Sequence, residues 1–377
     1  MVVQGRRVAL RSGCVVAWLS ACAGTGLDGG TDGSSSETGG TADSSGGAGT
    51  VATTRGGETT VGSVDGSGDS SGAGASSESS TGAAASSEGT TGEPFPEPVP
   101  DDCITDVTAG HHAFVCDGLT YDVEVPAACL LAPCGMIVDV HGLAMSAQMQ
   151  DSNTNMRALG QRYGYIVVQP NADPAPPLSN WIPGIDDPKV FDFMQRTAAA
   201  WHVDADRWHF TGFSQGGFMT WRFACAHADV LASVAPGAAC GNDFPIEDCQ
   251  FTDDESPSEP LDILYLHGTQ DFVVNYGCAL PRVEAVRAHF GLDGEPEVVL
   301  DDPDVRWQRF AGDTMTFEYL EHDYIGDNPI AGGHCMPGAD DPGDAPGELV
   351  GASCDDPNLV VWGEAVVQFF LAHPKGA

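Results

Sequence analysis

The sequence predicts an α/β domain over residues 101–377, a mostly parallel central sheet with helices on both faces. Three observations carry this. Short apolar, β-branched runs alternate with helical stretches, the pattern of parallel strands joined by crossovers. One junction, Trp208 to His227, runs strand, glycine-bounded turn, helix. The composition also splits sharply near residue 100, which confines the packed part to the second region.

Met136 to Val140 forms the first buried strand. Gln150 to Tyr163 follows as a helix, with Met156, Leu159 and Tyr163 on one face. Tyr165 to Gln169 is the next strand, stopped by Pro170. Val190 to Trp201 is a helix, Trp208 to Thr211 a strand, and Gly217 to His227 a helix. Leu231 to Ala235 and Leu261 to Leu266 supply two more strands, and Arg282 to Phe290 is helical. Val298 to Leu320 reads as strands and turns, and Asn358 to His373 as the last helix.

The first hundred residues have a different character. Arg6, Arg7 and Arg11 precede the short apolar run Cys14 to Leu19. That run is too short to span a bilayer, which needs about 20 apolar residues, and suits an export signal. Leu19-Ser20-Ala21-Cys22 resembles a bacterial lipobox. The expectation is a signal peptide over 1–21, lipidation at Cys22, and an exported protein anchored by lipid at the cell surface or outer membrane. Residues 22–100 are Gly, Ser, Thr and Ala with 11 acids and one base, Arg55, from Ala23 on. Such a segment cannot bury enough surface to offset chain entropy, so it reads as a disordered acidic tether averaging about 50 Å end to end. Pro-rich Glu93 to Pro100 closes it.

The whole chain has 54 acidic and 15 basic residues, a net charge of -39. No basic stripe exists to neutralise phosphates, which argues against nucleic acid as a partner. An anionic membrane face is equally disfavoured, leaving the lipid anchor as the membrane contact. A monomer acting on an ester substrate is the expectation for partners. Ten cysteines lie beyond residue 100, and an even number in an exported chain suggests disulfides. Proximity suggests Cys103/Cys116, Cys129/Cys134, Cys240/Cys249 and Cys335/Cys354. No C-x-x-C is present and His111-His112 lacks a spaced partner set, so no metal is expected. The acidic runs Asp253 to Glu255 and Asp301 to Asp304 lack calcium-loop spacing and read as solvated loops.

The chemistry concentrates in Gly212-Phe213-Ser214-Gln215-Gly216, a G-x-S-x-G between a strand and a helix. A sharp turn there forces the serine into a strained conformation, and its flanks must lack side chains. Ser214 is thus the candidate nucleophile. A serine needs a base, and the base an orienting acid, in chain order Ser, acid, His. Asp271 follows a strand in Leu264 to Asp271, and His334 sits in the glycine-bounded loop Ala331 to Gly338. His322 is the rival base. His267, read within the same loop as Asp271, is taken as structural, and His289 and His373 fall on helices. Asp262 and Asp323 are the rival acids, neither expected to end a core strand. The oxyanion donors should be the Gln215 and Leu143 N–H groups, with Gly142 allowing close backbone approach.

These segments resemble the α/β-hydrolase fold, and within it the extracellular polyhydroxybutyrate depolymerase and feruloyl esterase group. The likeness is carried by Val140-His141-Gly142, Ile166 to Asn171, Asp204 to Met219, His267 to Asp271 and Gly332 to Gly338, and runs from about residue 116 to 372. It implies Ser214 as nucleophile, His334 as base and Asp271 as orienter, with ester hydrolysis through an acyl-enzyme and no cofactor. It also implies substrate-pocket positions at His141, Trp181 and Met336. Two departures stand out: Met336 where the family commonly has Trp, and Leu143-Ala144-Met145-Ser146 where it has a Cys- or Ser-rich turn. A serine peptidase on the same fold and a non-catalytic surface binding module are the alternatives.

Overall fold

The structure, a computed structural model, describes residues 95–241, 248–252, 254–326, 331–338, 352–355 and 358–376. The expected signal peptide, Cys22 and nearly all of the tether lie outside the described residues. Among the described residues no helix is long and apolar enough to cross a membrane.

Among the described residues ten strands form one sheet: β1 (Gly110–Cys116), β2 (Leu119–Val125), β3 (Gly135–Val140), β4 (Tyr165–Asn171), β5 (Trp208–Phe213), β6 (Ser233–Gly237), β7 (Asp262–Gly268), β8 (Glu297–Asp302), β9 (Val305–Ala311) and β10 (Thr316–His322). Their spatial order is β1-β2-β4-β3-β5-β6-β7-β10-β9-β8. From β4 through β10 all neighbours pair parallel, and antiparallel strands close both flanks. Outermost β8 has a register shift between Val298 and Leu300.

The helices are α1 (Ala147–Thr154), α2 (Met156–Tyr163), α3 (Asp187–Trp201), α4 (Gln215–Ala226), α5 (Ala279–Phe290) and α6 (Trp362–Ala372). Alternate strand residues feed two cores. Met136, Val138, Ile263 and Tyr265 join side chains of α3, α4 and α5 on one face. Ile137, Val167, Leu264 and Leu266 join those of α1, α2 and α6 on the other. The strands are apolar on both sides because both sides are covered.

Three expectations need correction. The helix over Gln150–Tyr163 is two, α1 and α2, separated by Asn155 in the left-handed conformation, φ 53°. Asp151 stabilises the break: its carbonyl accepts the Asn155 N–H at 2.6 Å and its side chain the Arg157 N–H at 3.0 Å. The hairpin β1–β2 was not expected. It turns through Asp117 and Gly118, φ 51° and 83°, the positive-φ pair of a tight two-residue connection. Finally, Cys240 does not pair with Cys249. The bonds are Cys103–Cys116, Cys129–Cys134, Cys225–Cys249, Cys240–Cys278 and Cys335–Cys354. Cys240 follows β6 and Cys278 follows its neighbour β7, so spatial adjacency at one sheet edge overrides the shorter sequence distance.

Candidate active site

Ser214 stands between β5 and α4 with φ 54° and ψ -116°, a region non-glycine residues occupy only under constraint. Packing imposes it. A Cβ on Gly216 would lie 2.0 Å from the Val140 carbonyl oxygen, and one on Gly212 would lie 2.6 Å from the Gly216 backbone. Only glycines let α4 start this close to β3 and β5. The Ser214 N–H donates to the Gly237 carbonyl at 2.9 Å, tying the turn to β6.

Asp271 follows β7 and has 1% exposure. Its Oδ1 accepts the Val273 and Val274 N–H groups at 2.9 and 2.8 Å, and its Oδ2 accepts Nδ1–H of His334 at 2.7 Å. The His334 loop is laid directly onto the Asp271 loop. Gly333 N–H donates to the Gln270 carbonyl at 2.9 Å, and Phe272 N–H to that of Ala331 at 3.3 Å. Cys335–Cys354 anchors the residue after His334.

The structure therefore joins Asp271 to His334. It sets both beside the elbow, because the Phe213 ring, directly before Ser214, lies 4.8 Å from the His334 ring. No hydrogen bond joins the Ser214 hydroxyl to His334 among the described contacts. Serine–histidine bonds in unliganded sites are often long and tighten with substrate.

The expected oxyanion donors come from two strand ends. Gln215 is the first residue of α4, so its N–H has no acceptor within the helix. In the loop after β3, Ala144 N–H donates to Ser179 and Met145 N–H to Gly142, whereas the Leu143 N–H meets no backbone acceptor among the described residues. A Cβ on Gly142 would stand 3.2 Å from that of Ser214, so this loop passes against Ser214. The α4 N-terminus adds a partial positive charge.

The expected pocket residues lie beneath the surface. His141 and Met336 have no exposed area and Trp181 has 2%. Trp181 Nε1–H donates to the His141 carbonyl at 2.9 Å, and its backbone N–H to the Gln215 side chain at 3.1 Å. Burial pushes His141 down to about 4, so its ring is neutral. Its tautomer follows from its partners: Nε2 accepts the Ala172 N–H at 3.1 Å, and Nδ1–H donates to the Gly142 carbonyl at 2.7 Å. His141 and Trp181 thus hold the start of the loop after β3. Leu143, Ile182 and Phe272 are exposed apolar side chains, of which the sequence analysis named Leu143 for its N–H alone. Each directly follows a residue it did single out: Gly142, Trp181 or Asp271.

The rivals are placed elsewhere. His322 is buried on β10, and burial lowers it to about 4. Asp323 does follow the end of a core strand, contrary to expectation, because β10 pairs with β7 in parallel. Its carboxylate is occupied by Thr269 at 2.7 Å and Gln270 at 2.8 Å. Asp262 begins β7 and lies 3.1 Å from His373. Among the described residues two clusters have metal-ligand spacing, Cys240/His267/Cys278 and His322/Cys335/Cys354, but all four cysteines are spent in disulfides and offer no thiolate.

Strand order and the strained serine at the end of β5 together define the α/β-hydrolase fold. The chain is 30% identical over 162 residues to a bifunctional acetylxylan esterase/xylanase of Neocallimastix patriciarum, covering 42% of this chain and 22% of that protein. It is 29% identical over 156 residues to feruloyl esterase B of Piromyces equi, covering 39% of this chain and 28% of that one. The chain thus spans under a third of the length of either relative. Among solved structures, an acetyl xylan esterase from Aspergillus awamori is 15% identical with a TM-score of 0.45, covering 58% of this chain and 91% of that one. No family model matches the chain.

Proposed function

We propose that this protein is a serine esterase that hydrolyses carboxylic esters through a Ser214–His334–Asp271 relay. The observation that carries the reading is the buried 2.7 Å bond from His334 to Asp271 beside a serine held in a strained strand-to-helix turn. The two curated relatives, named for acetylxylan and feruloyl ester hydrolysis, point to the same chemistry.

In this reading the Ser214 hydroxyl attacks the ester carbonyl carbon and passes its proton to His334 Nε2. Asp271 holds the ring in the required tautomer and stabilises the imidazolium. The oxyanion meets the Gln215 and Leu143 N–H groups. Collapse breaks the C–O bond, the alcohol leaves with the proton from His334, and an acyl-enzyme remains. Water, deprotonated by His334, then releases the acid and restores Ser214.

For substrate we propose an uncharged apolar acyl group: a feruloyl or acetyl ester of plant polysaccharide, or a polyhydroxybutyrate oligomer. Exposed Leu143, Ile182 and Phe272 favour apolar contact, and the strong negative charge disfavours polyanions. The five disulfides suit export to an oxidising compartment, in keeping with the proposed signal and lipid anchor at Cys22.

The test is hydrolysis of p-nitrophenyl acetate and butyrate by the full chain and by Ser214→Ala. The wild type should turn over both, and the variant should lose about four orders of magnitude or more in kcat. Equal, slow rates in both would remove the reading.

A further inference from the structure

Asp271 Oδ2 faces two imidazoles. His334 Nδ1 is 2.7 Å away and serves the proposed relay, while His267 Nε2 is 3.6 Å away and has no part in it. His267 is not in the Asp271 loop, as the sequence reading had it, but on β7 with no exposed surface. Its two ring nitrogens are both occupied. Nε2 lies 2.9 Å from the Val274 carbonyl, which can only accept, so Nε2 carries the proton. Burial lowers the pKa of the ring and keeps it neutral, which leaves a lone pair on Nδ1. The Tyr265 hydroxyl, 2.8 Å away, donates to it.

The Val274 contact gives this arrangement its meaning. The N–H groups of Val273 and Val274 hold Asp271 Oδ1, so His267 grips the carbonyl of a residue whose amide grips the carboxylate. Fixing Oδ1 fixes where Oδ2 points. A neutral ring beside Oδ2 also adds no second cation, so the carboxylate field acts on the imidazolium forming at His334.

We propose that His267, its tautomer set by the Val274 carbonyl and its Nδ1 held by Tyr265, is a positioning residue that aims Asp271 at His334. The inference rests on the esterase reading, because it assigns a task within that relay.

The test compares His267→Gln with His267→Leu in the full chain. The Gln amide nitrogen can reach the place of Nε2 and donate to the Val274 carbonyl; Leu cannot. With p-nitrophenyl butyrate, His267→Leu should lower kcat about 100-fold with KM changed by less than about twofold, because only the aim of the relay is lost. Labelling of Ser214 by a fluorophosphonate should slow in parallel. His267→Gln should recover kcat to within about fivefold of wild type. A role in stability alone would lower the melting temperature and leave kcat per labelled site unchanged. That result, or equal loss in the Gln and Leu variants, overturns the proposal. If His267→Leu does not fold, Tyr265→Phe removes only the hydroxyl that donates to Nδ1 and holds the ring in place. It should lower kcat about fivefold, and an unchanged kcat would then overturn the proposal. A wild type that neither hydrolyses the ester nor takes the label would instead overturn the esterase reading itself.

Discussion

The elbow at Ser214 and the arm that holds Asp271 and His334 are built on opposite principles. The elbow is local: five consecutive residues, two of them glycines, create a strained turn because β3, β5 and α4 crowd together. The arm is long-range. Asp271 and His334 lie 63 residues apart and meet through backbone bonds between two loops and the Cys335–Cys354 link. A nucleophile can be specified by shape within one short segment. An acid–base pair must be assembled from segments that have no other reason to meet.

The sharpest way to break the contrast is Gly216→Ala. Its new methyl would meet a backbone carbonyl of β3 that cannot move without opening the sheet. Urea unfolding should register a loss of about 4 kcal/mol or more, with activity abolished. A loss below about 1 kcal/mol would show that the elbow is not held by crowding.

Breaking the arm should act differently. The double variant Cys335→Ser/Cys354→Ser removes a link that spans 19 residues, so the unfolding free energy should drop by about 3 kcal/mol. Activity should fall about tenfold while circular dichroism stays that of wild type. Unchanged activity would mean that backbone bonds alone hold His334.

The smallest effect has the opposite sign. Ser214→Gly removes the hydroxyl and places at φ 54° the one residue that tolerates it. The variant should be inactive yet more stable than wild type by about 1 kcal/mol. A less stable variant would mean that the turn stores no strain.

The contrast also governs what could be read from the residues. Ser214 was legible because G-x-S-x-G binds geometry and chemistry in one segment. Asp271 and His334 were legible as candidates, since each follows a strand or sits between glycines, but their contact was not, because nothing local encodes a 2.7 Å approach across 63 residues. The central strands were visible as apolar runs because both faces are buried. The β1–β2 hairpin carries a local signal, Asp117-Gly118 between alternating runs. The break at Asn155 also carries a local signal, since Asp151-Ser152-Asn153-Thr154-Asn155 is a run of weak helix formers that ends in a residue tolerant of the left-handed conformation. The Cys225–Cys249 and Cys240–Cys278 pairs depend on which strands end side by side, and sequence distance is a poor guide to that.

The register shift in β8 has a consequence beyond the active site. An outermost strand offers its unpaired amides to any passing chain, and long flat edges invite strand addition. Here the spacing of those amides is interrupted near Val298, and Glu297, Asp301 and Asp302 add three carboxylates to a strand that also exposes Val298 and Val299. An incoming strand would find its hydrogen bonds out of step and its own charge opposed. Molecules crowded together would therefore stay separate along that flank.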